Sequence, residues 1–199
     1  MKQKRKTSVL SECAVMVALA FVLSYVRIIT MPMEGSVTLL SMLPIVILSV
    51  RHGTKWGLGS AFLYALLQLV QSITVGGLFS WGLTPVALAG CIALDYLLPF
   101  TLLGLAGCFR KKGGLGVLSG AALVIGLRYL SHVLSGAVIF TIVTEKVDVF
   151  GSEVVFTNPW LYSLCYNGFY LLPELILTLL GALALLKLPA GRKQVFGLE

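Results

Sequence analysis

Leu127-Arg-Tyr-Leu-Ser-His-Val-Leu-Ser-Gly-Ala-Val-Ile-Phe140 decides how this chain is read. It sits in a long apolar run, yet it carries Arg128 and His132. Four residues apart on a helix, these two share one face, with Ser135 close beside them. A charge at mid-bilayer costs roughly 2.5–3.5 kcal/mol on insertion scales, so such groups face a partner or a wet cavity. An acid that can answer them, Asp95, lies in an earlier apolar segment. The other helices are therefore expected to close around this polar face and form a small-molecule pocket.

Composition sets the frame. Of 199 residues, 58% are hydrophobic and 12% charged, and the mean hydropathy is +0.96. Soluble domains carry about 25% charged residues, so this is a membrane protein. At about 20 residues per crossing, the length holds one helical bundle and no sizeable soluble domain. The fold class expected is an all-α integral membrane protein, a six-transmembrane-helix bundle. Its helices are placed at about 8–29, 39–50, 57–73, 83–108, 117–143 and 160–187. Helix 2 contains Pro44 and is short, either broken or not crossing at full depth. Pro99 is expected to free the carbonyl of Asp95 one turn back.

Charge gives the sidedness. Twelve of the fifteen Lys and Arg fall at the N-terminus, in the turns around 51–55 and 109–114, or in the tail from Lys187. By the positive-inside rule both termini are cytoplasmic, in a multi-pass protein of the cell membrane. The net charge of +7 is thus topology rather than nucleic-acid binding. The loop Met31–Thr38 and the loop from Thr144 to Pro159 are external. Cys13, Cys91, Cys108 and Cys165 lie in apolar stretches without CxxC spacing, and are read as small core residues. The first apolar run lacks a clear cleavage site, so no signal peptide is expected.

No P-loop, HExxH or acidic cluster is present, so neither nucleotide hydrolysis by this chain nor a metal or cofactor site is expected. Ser135, His132 and Asp95 can be written as a catalytic set, but no elbow motif surrounds the serine. What remains is a binding set of acid, histidine, arginine, asparagine and tyrosines. Aromatic faces suit a planar or cationic ligand. A carboxylate beside an amide suits an aminopyrimidine edge, which presents donors next to acceptors. The alternative for each residue is interhelical hydrogen bonding, including a simple Arg128–Asp95 pair. For Glu174 and the helix 3 glutamines that alternative is preferred.

Several motifs, taken in order, resemble one family. They are Gly35-Ser-Val-Thr38, Ser41-Met-Leu-Pro44, Arg51-His-Gly-Thr-Lys55, Leu94-Asp-Tyr96, Arg128-Tyr-Leu-Ser-His132 and Trp160-Leu-Tyr-Ser-Leu-Cys-Tyr-Asn-Gly168. The chain resembles the thiamine-specific substrate-binding (S) components of energy-coupling factor (ECF) transporters, the ThiT/YuaJ type. The resemblance implies a six-helix bundle that binds thiamine near its outer face and is not an enzyme. Asp95 would serve as counter-charge with Tyr96 beside it, and His132 would contact the ligand near Arg128. Tyr162 and Asn167 would bind the aminopyrimidine, and Phe140 would stack where the family has tryptophan. Asp95 replaces a glutamate, and a first-loop tryptophan has no counterpart. The loop after helix 1 would act as a lid. Ala14 and Ala18 match the small-residue motif that docks onto the transmembrane coupling subunit, itself joined to two ATPase subunits that consume the ATP. The same architecture with hydroxymethylpyrimidine or riboflavin as ligand, and an intramembrane enzyme, are the alternatives.

Overall fold

The computed structural model describes residues 2–140, 146–149, 152–155 and 157–198. Helix α1 (Lys2–Ser24) runs into a hairpin of β1 (Arg27–Thr30) and β2 (Ser36–Thr38). Helix α2 (Leu43–His52) turns at Gly53 into α3 (Thr54–Gln71), which ends in a π turn, Ser72–Gly76. Helix α4 begins at Pro85–Cys91 and continues through a π turn (Ile92–Leu97), an α turn (Leu98–Leu102) and a 3-10 segment (Leu103–Lys112). Helix α5 is Gly113–Ser135 with a π turn, Gly136–Phe140. A second hairpin pairs β3 (Lys146–Val149) with β4 (Ser152–Val155) before α6 (Pro159–Lys187).

Pro85–Phe140 stays helical for 56 residues, about 84 Å at 1.5 Å per residue, against an apolar layer of about 30 Å. It crosses twice because it folds back at Gly113, whose φ is +63°. Ala106 then faces Gly120, and Phe109 faces Gly116. Both glycines lie against a carbonyl where a Cβ would not fit. This hairpin of α4 and α5 holds Asp95 opposite His132.

Helix α6 is largely polar inside and apolar outside. On α6, Ser163, Asn167, Tyr170, Glu174 and Thr178 are buried, while Leu161, Phe169, Leu172, Ile176 and Leu180 are exposed. That inversion suits a lipid solvent, since buried polar groups find partners only within the bundle. On α1, Cys13, Val17, Ala20 and Ser24 face inward, whereas Ala14 and Ala18 lie on the exposed side.

Several elements depart from the sequence expectation. Helix 1 is expected to reach Ile29 but ends at Ser24. Val26, Ile28, Ile29 and Thr30 are β-branched, lose rotamer freedom in a helix and pack well on a pleated edge. Pro44 starts α2 instead of breaking it, because a proline in the first turn has no helical acceptor to lose. All of Leu43–Val50 is buried, so α2 is the axis of the bundle, about 15 Å long. Residues 141–143, assigned from sequence to helix 5, lie outside the described residues. Of the cysteines, Cys13 and Cys91 are buried, but Cys108 and Cys165 are exposed and so are not core residues.

Close packing between α4 and α5 makes a direct test. Gly120→Ala places a methyl on the Ala106 carbonyl and is expected to cost about 1–3 kcal/mol of stability. Gly126→Ala, on the same helix with open space around it, is expected to be neutral. Thermal unfolding in detergent compares the two, and equal shifts would dismiss the close-packing account.

Candidate functional site

The site starts from a helical irregularity. In the π turn of α4, the Leu98 N–H reaches the Ala93 carbonyl, five residues back. In that register the N–H that Pro99 lacks would have served Leu94. The Leu94 carbonyl accepts instead from the Ser131 hydroxyl of α5 at 2.6 Å. The carbonyl tied across to α5 is thus that of Leu94, not the Asp95 carbonyl expected from an ideal helix. The wider turn brings the Asp95 side chain to α5.

Asp95 accepts twice. Its Oδ1 lies 2.9 Å from His132 Nδ1, and its Oδ2 accepts from the Ser135 hydroxyl. Arg128 Nε donates to His132 Nε2 at 3.2 Å. A guanidinium only donates, so Nε2 carries a lone pair and the imidazole proton sits on Nδ1, directed at Asp95. Arg128 also reaches Met42 Sδ at 3.1 Å and stacks 4.2 Å over the Phe100 ring. The simple Arg128–Asp95 pair does not form; the imidazole stands between them. The Ser135–His132 hydrogen bond of a catalytic set does not form either, since Ser135 donates to the Asp95 carboxylate and His132 Nε2 accepts from Arg128.

Opposite this relay, α6 supplies a self-bonded wall. Asn167 Nδ2 donates to the Ser163 carbonyl at 2.9 Å and to the His132 carbonyl at 3.3 Å. Its Oδ1 accepts from the Tyr170 hydroxyl at 2.8 Å. Ser163 in turn donates to the Val133 carbonyl at 2.9 Å, over the bare backbone of Gly136. The rings of Tyr162 and Tyr166 stack at 5.9 Å, and Tyr170 meets Tyr166 edge-on.

The β1–β2 hairpin covers the opening. Met33 and Glu34 at its tip hold left-handed φ values of 55° and 66°, a conformation costing about 1–3 kcal/mol for such residues. The tip is held by its contacts. Tyr96 donates to Glu34 Oε2 at 3.1 Å, and its hydroxyl lies 2.6 Å from that of Ser72. Arg27 is 3.7 Å from the same carboxylate. The other end is fastened by Glu174, whose Oε1 accepts from the Thr38 N–H at 2.5 Å and the Thr38 hydroxyl at 2.6 Å. Gly35 rests against the Tyr166 hydroxyl, and Gly76 leaves room for the Glu34 carboxylate.

Asp95, Tyr96, Arg128, His132, Phe140, Tyr162 and Asn167 all line the one cavity beneath this hairpin. Its wall carries three carboxyl groups (Glu34, Asp95, Glu174) against two guanidiniums (Arg27, Arg128), with seven aromatic side chains. Among the described residues no group of three or more His, Cys, Asp or Glu is placed to hold a metal ion.

The family profile of the thiamine transporter protein (Thia_YuaJ) matches residues 10–193. The chain belongs to this family. Within the thiamine transporter family, it is 37% identical over 191 residues to the thiamine transporter ThiT of Bacillus subtilis (strain 168), covering 89% of each chain. It is 29% identical over 195 residues to ThiT of Lacticaseibacillus paracasei, covering 90% of this chain and 87% of that one. A solved structure of ThiT from Listeria monocytogenes superposes with a TM-score of 0.72 at 20% identity, covering 96% of this chain and 98% of that chain. That likeness speaks to the fold. For this thiamine transporter family member, sequence reasoning missed Glu34 and Ser72 as cavity residues, while Trp81, expected near the outer mouth, does line the cavity. The acid in a helix-breaking loop was the signal for Glu34. Trp81 reads as a membrane-interface anchor, yet its ring faces Phe140 at 6.0 Å.

Tyr96→Phe removes both hydroxyl bonds under the hairpin tip. Amide hydrogen exchange across residues 27–38 is expected to speed up about fivefold or more, since each such bond contributes about 1 kcal/mol. Exchange unchanged from wild type would dismiss the latch.

Proposed function

We propose that this chain is the thiamine-binding S component of an ECF-type vitamin importer. The observation that carries the reading is the pairing of Asp95, oriented by His132 and Ser135, with the tyrosine wall of α6 in one hairpin-covered cavity. Thiamine is a planar aminopyrimidine joined to a permanently cationic thiazolium. An oriented carboxylate supplies the counter-charge, and aromatic faces supply stacking and cation–π attraction worth about 0.5–2 kcal/mol each. His132, with its proton committed to Asp95, offers a ring edge and face rather than a charge. Phe140 and Trp81 form a second aromatic contact at the mouth. Asn167 contributes the remaining lone pair of its Oδ1, its N–H groups being bonded within the bundle.

In this reading the hairpin lies at the extracellular end and both termini are cytoplasmic, as the basic turns require. The chain releases its ligand chemically unchanged. ATP is consumed by two ATPase subunits, reached through a transmembrane coupling subunit that docks on the exposed face of α1 at Ala14 and Ala18.

Asp95→Asn and His132→Ala are each expected to weaken thiamine binding at least about tenfold, or 1.4 kcal/mol, without loss of the folded protein. Quenching of Trp81 fluorescence, checked by calorimetry, reads the affinity. Wild-type affinity in both variants would reject the pocket, and preference for hydroxymethylpyrimidine or riboflavin over thiamine would reassign the ligand. Ala14→Trp is expected to abolish uptake in cells while binding persists. Normal uptake in that variant would remove α1 from the docking role.

A further inference from the structure

The end of the bundle away from the hairpin holds a second cleft, of about 450 Å3, between the α2–α3 turn and the α4–α5 turn. His52, Gly53, Lys55, Trp56, Arg110 and Lys111 line it. The acid nearest this end, Glu12, is already engaged, 2.9 Å from Arg51 Nε and 3.1 Å from His52 Nε2. Among the described residues no carboxylate lies within ion-pair distance of Lys55, Arg110 or Lys111. Helix α3 starts at Thr54 in the wall of the cleft, and its N-cap Gly53 supplies no side-chain cap, so the N–H groups of its first turn lack intrahelical acceptors. Gly53, at φ +88°, lets the Arg110 guanidinium lie against the turn.

Topology alone accounts for basic residues at this end. It does not account for three unpaired cations converging with an uncapped helix start on one cleft. We propose that this cleft binds the phosphate of an anionic phospholipid such as phosphatidylglycerol. A phosphate meets unpaired Lys and Arg and free backbone N–H groups here, the combination that recognises phosphate oxygens. The surface above the cleft selects the lipid over a soluble phosphate. Lys55 stands at the foot of an outward stripe of α3 formed by Gly59, Phe62, Leu66 and Val70, all exposed. A Cβ at Gly59 would meet nothing within 4 Å, so an acyl chain can lie along the helix directly above the charged head. Trp56, half-buried at the cleft, has the amphipathic ring that settles at the headgroup level. Basic pockets between transmembrane helices are suited to such headgroups.

The test uses the full chain in detergent micelles, with bound lipid counted by native mass spectrometry. The probes are dioleoyl phosphatidylglycerol and dioleoyl phosphatidylcholine, with inorganic phosphate as soluble competitor. Wild type is expected to retain phosphatidylglycerol in preference to phosphatidylcholine. The combined variant Lys55→Gln, Arg110→Gln and Lys111→Gln is expected to lose that preference about tenfold. Gly59→Trp, which changes no charge, is expected to reduce retention by obstructing the acyl path. Monodisperse elution and unchanged helical circular dichroism certify each sample, and single Arg110→Gln replaces the triple variant should it aggregate. Equal phosphatidylglycerol retention in the charge variant and wild type overturns the proposal. Displacement of the lipid by inorganic phosphate at comparable concentration overturns the lipid in favour of a soluble anion. Unchanged lipid retention with loss of a co-purifying partner subunit overturns it in favour of an acidic protein surface.

Discussion

A guanidinium and a carboxylate share one imidazole inside an apolar bundle. Arg128, His132 and Asp95 form a line in which each nitrogen of the imidazole is spoken for. Unpaired, each of the two charges would face a desolvation cost of several kcal/mol. Paired, they impose geometry. The imidazole spans the two only if α4 and α5 run close and antiparallel, which the glycine contacts of the Gly113 turn permit. Asp95 points across only because the π turn widens α4. Arg128 needs Met42 and the Phe100 face, and so fixes α2 against the same pair of helices.

From that relay the cavity follows on two sides. Asn167 and Ser163 of α6 bond to the His132 and Val133 carbonyls of α5, where the two helices approach closely at Gly136. Glu174, one turn beyond Tyr170, holds β2. The wall that faces a ligand and the strap that covers it are therefore both anchored to one helix. The two ends of the bundle are held differently. The hairpin end relies on long polar side chains reaching across. The basic end is fastened by Ser49, whose hydroxyl donates to the Gly104 carbonyl at 2.5 Å and accepts from the Gly107 N–H at 2.8 Å, and by Arg51 donating to the carbonyls of Gln194 and Val195 in the tail.

Much of this was legible in the chain because it rests on local rules. An arginine and a histidine four apart in an apolar run have few physical explanations, and a lone acid in another run narrows them further. Basic clusters and apolar lengths place the crossings. The site's details were less accessible because they depend on non-local contacts. The register of the π turn is visible only once Ser131 is found bonded to Leu94. The strand at Arg27–Thr30 follows an apolar helix with only Arg27 interrupting the run, and its β-branched composition marks it. Asn167 reads as a ligand group for an aminopyrimidine edge, yet most of its amide is committed to neighbouring backbone and to Tyr170. Pro44 reads as a break until α2 is seen to start one residue before it.

The latched hairpin sets a rate as well as a shape. With Glu34 held by Tyr96 and Thr38 by Glu174, the hairpin lies over the mouth, and a ligand enters fully only when it lifts. Capture then proceeds at the encounter rate multiplied by the fraction of time the hairpin is lifted. The same latch acts on escape, so a molecule once enclosed leaves no faster than the hairpin opens. A binding site built this way gives up speed of capture for residence time.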